Sequence, residues 1–287
     1  MRGFKRFFAA RKKPPALLTL WISGPLDFVS VSCLKSAIRF GHDVHLYSYG
    51  DIPNIPKGVS HKDARSIIPE DEIFLYDGIE QPSLFGSVGP FSDAFRYRSQ
   101  ILNRGVWMDT DMYFLQRIDL SPSVILAWEK PKKDALTTNW RSNLIGGALL
   151  KLPPKSALTS DLVRLTSKPY QMPPWLSQQR QKEVLDKLQG RPFFPGAVTY
   201  ATVGPVALTY FARERGMLHD VLPSSHYYPL FFREIERLGE RYEDFCASLP
   251  QETKTIHIWN SAFKRAFKAH TPQGSFAARL KEESLDE

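Results

Sequence analysis

Cysteine is nearly absent from this 287-residue chain: Cys33 and Cys246 are the only two, and they lack a C-x-x-C spacing. That argues against a disulfide framework and against a zinc–thiolate site, and it fits a reducing compartment. No run of about 18 apolar residues occurs, which predicts no membrane-spanning helix. The N-terminus lacks the apolar stretch of a secretion signal, so the expected location is the cytoplasm. G-x-S-x-G, G-x-G-x-x-G, G-x-x-x-x-G-K-[ST] and H-E-x-x-H are all missing. Serine-hydrolase, dinucleotide-binding, P-loop and zincin readings therefore lack their anchors. Internal repeats, low-complexity tracts and a clear interdomain linker are missing as well.

What is present suits one globular α/β domain with insertions. Hydrophobic residues make up 43% of the chain and aromatics 13%, enough for a large core and too many for a disordered class. The formal net charge is +8, and Arg2, Lys5, Arg6, Arg11, Lys12 and Lys13 supply six of those charges before Pro14, leaving 8 − 6 = +2 for the rest. Phe4, Phe7 and Phe8 are interleaved with them. The segment reads either as a short basic amphipathic helix on an anionic membrane surface or as a solubilising tail. Nucleic acid is a poor third, because the remaining chain is almost neutral and holds no recognisable nucleic-acid module. The expected boundaries are a basic tail at 1–15, one domain at 16–270 and a C-terminal tail at 271–287.

Hydrophobic patterning predicts a strand over 17–22, a turn at Gly24-Pro25, a helix over 28–40 closed by Gly41, and a strand over 44–49. This is a parallel βαβ unit. A weak helix over 62–68 and a strand over 72–76 follow, and the acidic run Glu70-Asp71-Glu72 reads as a solvated helix end or loop. Farther along, 124–129 and 143–152 have strand character, 155–166 and 175–188 look helical, and Gly204-Pro205 starts a helix over 206–215, with Pro205 as its first residue. Residues 255–260 alternate as a strand does, with His257 and Trp259 on one face and Ile256 and Ile258 on the other.

The most informative stretch is 91–115, FSDAFRYRSQILNRGVWMDTDMYFL. Ser92 suits an N-cap, Ala94, Tyr97, Ile101 and Leu102 recur at helical spacing, and Gly105 suits a C-cap. Val106-Trp107-Met108 then reads as a buried strand, so Asp109 and Asp111 fall at its carboxyl end, where open α/β sheets keep their ligand crevices. Two carboxylates one residue apart can hold a divalent ion against phosphate, the other coordination positions going to water and the phosphates. The spacing alone equally fits a solvated turn.

Ser92, Asp93, Arg96, Gly105, Asp109 and Asp111 together resemble the pattern of the DXD-type glycosyltransferases, which include bacterial and fungal sugar transferases and, more remotely, the glucosylating clostridial toxins. Many members have Gly-Gly where this chain has Arg104-Gly105. The resemblance spans roughly 16–265 and is tight at 91–115 and 255–261. It implies a GT-A-like, Rossmann-type mixed sheet flanked by helices, with helical insertions after the Asp-x-Asp motif. It implies a nucleotide-diphosphate sugar as donor, most simply UDP-linked, with transfer that retains anomeric configuration. Asp93, Arg96, Asp109 and Asp111 are the implied catalytic set, and Trp21, Asp93, Arg96, Asp109, Asn143, Asn260 and Ser261 the implied donor-binding set. His257 resembles the third metal ligand beside Asp109 and Asp111. A nitrogen donor among carboxylates favours Mn²⁺ over Mg²⁺. The expected acceptor is a glycan or a lipid-linked glycan in polysaccharide assembly, with the inner face of a membrane as the expected peripheral location. Transfer to protein, a metal-dependent phosphoesterase and a catalytically silent nucleotide-sugar binder stay open. The residues alone also allow core roles for Trp21 and His257, a bulged strand around Asn143 and a surface i,i+3 pair for Asp93 and Arg96.

Overall fold

The computed structural model describes residues 14–78, 81–131 and 140–286. The basic segment 1–13, and with it the expected membrane contact, lies outside the described residues.

Strand β1 (Leu17–Leu20) is buried on both faces, as its unbroken apolar run requires. Helix α1 (Phe28–Arg39) follows, capped by Asp27, whose carboxylate accepts the Ser30 N–H. Strand β2 (Val44–Ser48) returns parallel to β1, with Leu17 opposite Val44 and Leu20 opposite Tyr47. The expected βαβ unit is therefore present. Strand β3 (Val59–Asp63) extends the sheet beyond β2, also in parallel. It is mostly exposed, and its polar sequence VSHKD carried no strand signal. Of the helix expected over 62–68, a single 3₁₀ turn at Ala64–Ser66 is observed. The strand expected over 72–76 is absent: Glu72 ends another 3₁₀ turn and the following residues are irregular.

Helix α2 (Gly89–Ile101) starts three residues before Ser92, at a Pro90-bearing first turn, and the Ser92 N–H is already bonded to the Val88 carbonyl. Its exit uses Asn103 in the left-handed region. Gly105 is thus not the cap. It has φ +144°, and a Cβ there would lie 2.4 Å from the Ala16 carbonyl oxygen, so only glycine lets β4 enter the sheet beside β1. Strand β4 (Val106–Met108) then pairs parallel to β1, and β5 (Met112–Phe114) leaves the sheet after a turn.

The segments 124–129 and 143–152 run antiparallel through isolated bridges, Ile125 to Lys151 and Trp128 to Ile145. Only β6 (Leu149–Leu150) is regular strand, antiparallel to β4. The sheet order is β3-β2-β1-β4-β6, a mixed and mostly parallel Rossmann-like arrangement. Because the chain passes from β1 outward to β2 on one side and returns to β4 on the other, the carboxyl ends of β1 and β4 form the switch point at which such sheets bind ligands.

After β6 come α3 (Ala157–Thr166) and α4 (Gln178–Leu188), the two expected helical insertions, and α5 (Ala207–Glu214). Helix α5 is preceded by one wide turn over Thr202–Val206, so Pro205 sits inside that turn rather than at the first position of the helix. Helix α6 (Tyr242–Ser248), strand β7 (Thr255–His257), α7 (Asn260–Ala266) and α8 (Phe276–Leu285) complete the chain. Strand β7 pairs with β5 in a separate two-stranded sheet, Met112 opposite His257.

Residues 271–287, expected to be a tail, instead carry α8, which buries Phe276, Ala277 and Leu280 in one cluster with Val29 and Cys33 of α1. Val31, Leu34 and Ala37 on another side of α1 pack against the sheet. Helix α1 is therefore sandwiched, which explains why eight of its residues are buried. Glu283 locks the contact by accepting from Arg39, Arg279 and Tyr113. Among the described residues no helix is long and apolar enough to cross a membrane.

Candidate metal centre

Asp109 follows β4 directly, and its backbone N–H donates to Ala148 beside β6 at 2.7 Å. A turn closed by Met112 N–H on the Asp109 carbonyl brings Asp111 back over the end of the strand. Strand β7 arrives from the far end of the chain in a register that bonds Ile258 N–H to the Asp111 carbonyl and sets His257 opposite Met112. One ligand atom each from Asp109, Asp111 and His257 then lies within 4.8 Å of the others. Two ligands of one ion at about 2.2 Å each can be about 4.4 Å apart at most, so a shift of a few tenths of an ångström closes this set around a cation. The three side chains fit a divalent metal of mixed oxygen and nitrogen preference.

The individual oxygens are already sorted. Asp109 Oδ1 accepts from Arg96 Nη2 at 2.9 Å and from the Trp107 indole N–H at 2.7 Å, leaving Oδ2 for a ligand. Asp111 Oδ2 accepts the Asn260 N–H at 2.9 Å, leaving Oδ1 facing His257 Nε2 at 3.2 Å. The Asn260 bond depends on Trp259, which has φ +51°, an uncommon conformation for a bulky residue that turns the chain from β7 into α7. The Trp259 ring is held by its N–H on the Leu230 carbonyl and lies 4.0 Å, centroid to centroid, from the imidazole of His257. The expected shared face of His257 and Trp259 is thus present, although Trp259 lies beyond the strand.

Asp93 and Arg96 are one turn apart on α2 and both are 6% exposed, so they are not a surface pair. Arg96 Nη1 meets Asp93 at 3.1 Å while Nη2 holds Asp109. Both terminal nitrogens are committed inside the protein, and Arg96 acts on the site by orienting Asp109. Gly147 makes room for it: a Cβ there would stand 2.0 Å from Nη1. Burial raises the Asp93 carboxyl to about 7 against the opposing pull of Arg96, which it shares with Asp109. At Asp111, burial disfavours the charge, but His257 and the Asn260 N–H outweigh it and the pKa falls. His257 moves the other way: burial lowers its pKa, and the adjacent Asp111 outweighs that and raises it.

The remaining expected residues are less drawn together. Trp21 stands at the end of β1, half-buried, with its indole N–H on the Gly24 carbonyl. Asn143 carries a buried carboxamide with neither atom paired, in the segment that leads to Gly147. Asn260 uses its amide nitrogen on Asp27, the cap of α1, and Ser261 is exposed. Around Gly204-Pro205 the Val203 and Gly204 carbonyl oxygens accept from the Tyr97 hydroxyl.

Four residues of the site carried no functional signal in the sequence. Trp107 read as core, yet its N–H orients Asp109. Asp27 caps α1 and also anchors α7 through Asn260 and Lys264. Tyr228 bonds the Leu149 N–H at 2.8 Å and packs its ring 6.1 Å from His257. Glu129, half-buried, lies within electrostatic reach of His257. Two hollows elsewhere, one lined by Pro15, His42 and Arg117 and one by Tyr170, Phe193 and Phe194, contain none of the site residues. The chemistry, not the concavity, locates the centre.

Compared with family models and with curated proteins, the chain matches none. The family resemblance therefore rests on the motif residues themselves.

Proposed function

We propose that this protein is a metal-dependent glycosyltransferase acting on a nucleotide-diphosphate sugar. The observation that carries the reading is the convergence of Asp109, Asp111 and His257 at the carboxyl end of β4, at a topological switch point of the sheet. Asp109 Oδ2, Asp111 Oδ1 and His257 Nε2 would hold Mn²⁺ or Mg²⁺. When bound, the ion supplies positive charge against the negative charge that grows on the diphosphate as the glycosidic bond breaks.

The protein's own residues keep that site in shape. Arg96 and the Trp107 N–H fix Asp109, and the Asn260 N–H fixes Asp111, so little reorganisation is needed when the diphosphate arrives. Asn143, with an unpaired carboxamide, suits hydrogen bonding to sugar hydroxyls, and Trp21 suits stacking on the base. UDP is the preferred nucleotide, and a glycan or lipid-linked acceptor the preferred partner.

The test is a screen of UDP-sugars with Mn²⁺, read by mass spectrometry. Transfer or hydrolysis of the sugar with UDP released intact is expected, and UDP with Mn²⁺ should raise the melting temperature far more than UDP with a chelator. Cleavage within the diphosphate would instead indicate a phosphoesterase. Equal thermal shifts with and without metal would remove the site.

A further inference from the structure

Strand β7 and helix α7 meet at a turn that holds one of the three ligands. Asp111 Oδ2 accepts the backbone N–H of Asn260 at 2.9 Å, and the direction of that N–H depends on Trp259, which takes φ +51° and ψ +58°. A bulky side chain in the left-handed region is strained, and such a conformation persists only where its surroundings hold it. The Trp259 ring is fixed by its N–H on the Leu230 carbonyl at 3.1 Å. The next residue is fixed separately. Asn260 Nδ2 donates to Asp27 Oδ2 at 2.6 Å, the only hydrogen bond its side chain makes among the described residues, because Oδ1 is buried without a partner.

Asp27 lies 233 residues earlier in the chain, at the start of α1. Capping that helix needs one oxygen, and Oδ1 supplies it by accepting the Ser30 N–H at 2.8 Å. The other oxygen reaches away from α1 and accepts from Asn260 and, at 2.8 Å, from Lys264 Nζ. Asp27 is itself held from behind: the Asn54 carboxamide accepts the Leu26 N–H and donates to the Leu26 carbonyl, each at 2.8 Å. Helix α1 is wedged between the sheet and α8. A line of hydrogen bonds therefore runs from a rigid helix through Asp27 and Asn260 to Asp111, and its first bond has an ionised acceptor, the stronger kind.

We propose that Asp27 is a positioning residue of the metal centre. By holding the Asn260 side chain it keeps the Asn260 N–H on Asp111 Oδ2, and so keeps Asp111 Oδ1 turned to the cation. The inference rests on Asp109, Asp111 and His257 as cation ligands and is independent of which sugar is transferred.

The experiment is titration of the full chain with Mn²⁺ alone, followed by electron paramagnetic resonance of the free ion, beside melting of the metal-free forms. Wild type is compared with Asp27→Ser, Asn260→Ala, the double variant Asp27→Ser/Asn260→Ala and Lys264→Met. Serine keeps a capping oxygen for α1 and is too short to reach Asn260 or Lys264. Asp27→Ser should weaken Mn²⁺ binding by about 3- to 10-fold, less than the roughly 10- to 100-fold usual for a group that touches a ligand directly. Asn260→Ala cuts the same line at its other side chain, leaves the backbone N–H in place and should lose a similar factor. In the Asn260→Ala background, Asp27→Ser should change affinity by no more than about twofold, because the route is already broken. Lys264→Met removes the ion pair and leaves the Asn260 bond, so its affinity should stay within about twofold of wild type.

An Asp27→Ser variant that melts lower without its metal yet binds Mn²⁺ as wild type does overturns the proposal, since Asp27 is then only a staple between α1 and α7. So does an equal loss with and without the Asn260 side chain, which would make Asp27 merely a nearby negative charge. A loss in Lys264→Met equal to that in Asp27→Ser overturns it as well, by moving the route to the ion pair. Should Asp27→Ser fail to fold, Asn260→Ala decides, because wild-type affinity there also overturns the proposal. Wild type that binds no Mn²⁺ would sink the cation site itself, and the proposed function with it, which is a different result from a silent Asp27.

Discussion

Asp111→Asn separates what the metal needs from what the fold needs. The variant keeps the side-chain size and an oxygen for the Asn260 N–H, and it removes the charge opposite His257. At 3.2 Å, with an effective dielectric constant of about 20, the attraction between Asp111 and a protonated His257 is roughly 5 kcal/mol. Both groups are 15% exposed or less, so much of that is offset by their lost hydration. A net loss of about 1–3 kcal/mol is expected for the metal-free protein, the range for a charged hydrogen bond. In a chain of this size that is a fall of roughly 2–5 °C in melting temperature. Repulsion from Asp109 does not reverse the sign, because Arg96 and Trp107 already occupy the Asp109 oxygen Oδ1.

The pH dependence follows from the two shifts. Asp111 has a lowered folded pKa, so its contribution is present above the unfolded carboxyl value of about 4 and is lost as pH falls through the folded one. His257 has a raised folded pKa, so its contribution is full below about 6.5 and is lost as pH rises through the folded value. The deficit of Asp111→Asn in the metal-free state should therefore be largest between about pH 4 and 6.5. With Mn²⁺ and donor present, turnover should fall at least about a hundredfold. Calorimetry of the metal-free forms across pH, beside Mn²⁺ titrations of activity, measures both. A folded variant with wild-type melting and near-normal metal-dependent turnover would refute the assignment of this carboxylate.

Other perturbations probe the supports. Arg96→Met leaves Asp93 and Asp109 without their shared cation in a buried setting and should cost about 3–5 kcal/mol in urea unfolding, and Arg96→Lys should recover only part of it because the two-pronged geometry is lost. The Asp93 carboxyl, raised to about 7 in the fold, binds more protons than in the unfolded chain between about pH 4 and 7, so stability should decline across that interval. Asp93→Asn should flatten the decline, and an unchanged slope in its urea midpoints against pH would reject it. Leu280→Ala, in the segment expected to be a tail, should cost about 2–5 kcal/mol because Leu280 is fully buried against α1. A change below about 0.5 kcal/mol there would show that α8 is not part of the core.

Local pattern determined a large share of this protein. The apolar run Leu17–Leu20, the capped helix after Asp27 and the strand from Val44 specify the first βαβ unit by nearest-neighbour chemistry alone. The placement of Asp109 and Asp111 at the end of β4 follows from the strand that precedes them, and the likeness of 255–261 to a returning strand pointed to His257. Elements with weak local signals were not legible. Strand β3 has a polar sequence and exists because β2 offers it a free edge. The segment 72–76 has strand-like residues but joins neither sheet edge, and it is irregular beyond Glu72. Residues 276–285 became a core helix only because α1 leaves a second apolar face that something must cover.

Tertiary structure alone decided which oxygens are available. That Asp109 Oδ1 is held by Arg96 and Trp107, and that Asp111 Oδ2 is held through the αL turn at Trp259, are consequences of contacts between segments up to 149 residues apart. Sequence periodicity reports which face of an element is buried. It carries no information on which distant partner meets that face, because that choice is made by the packing of the whole chain and is paid for by no single residue.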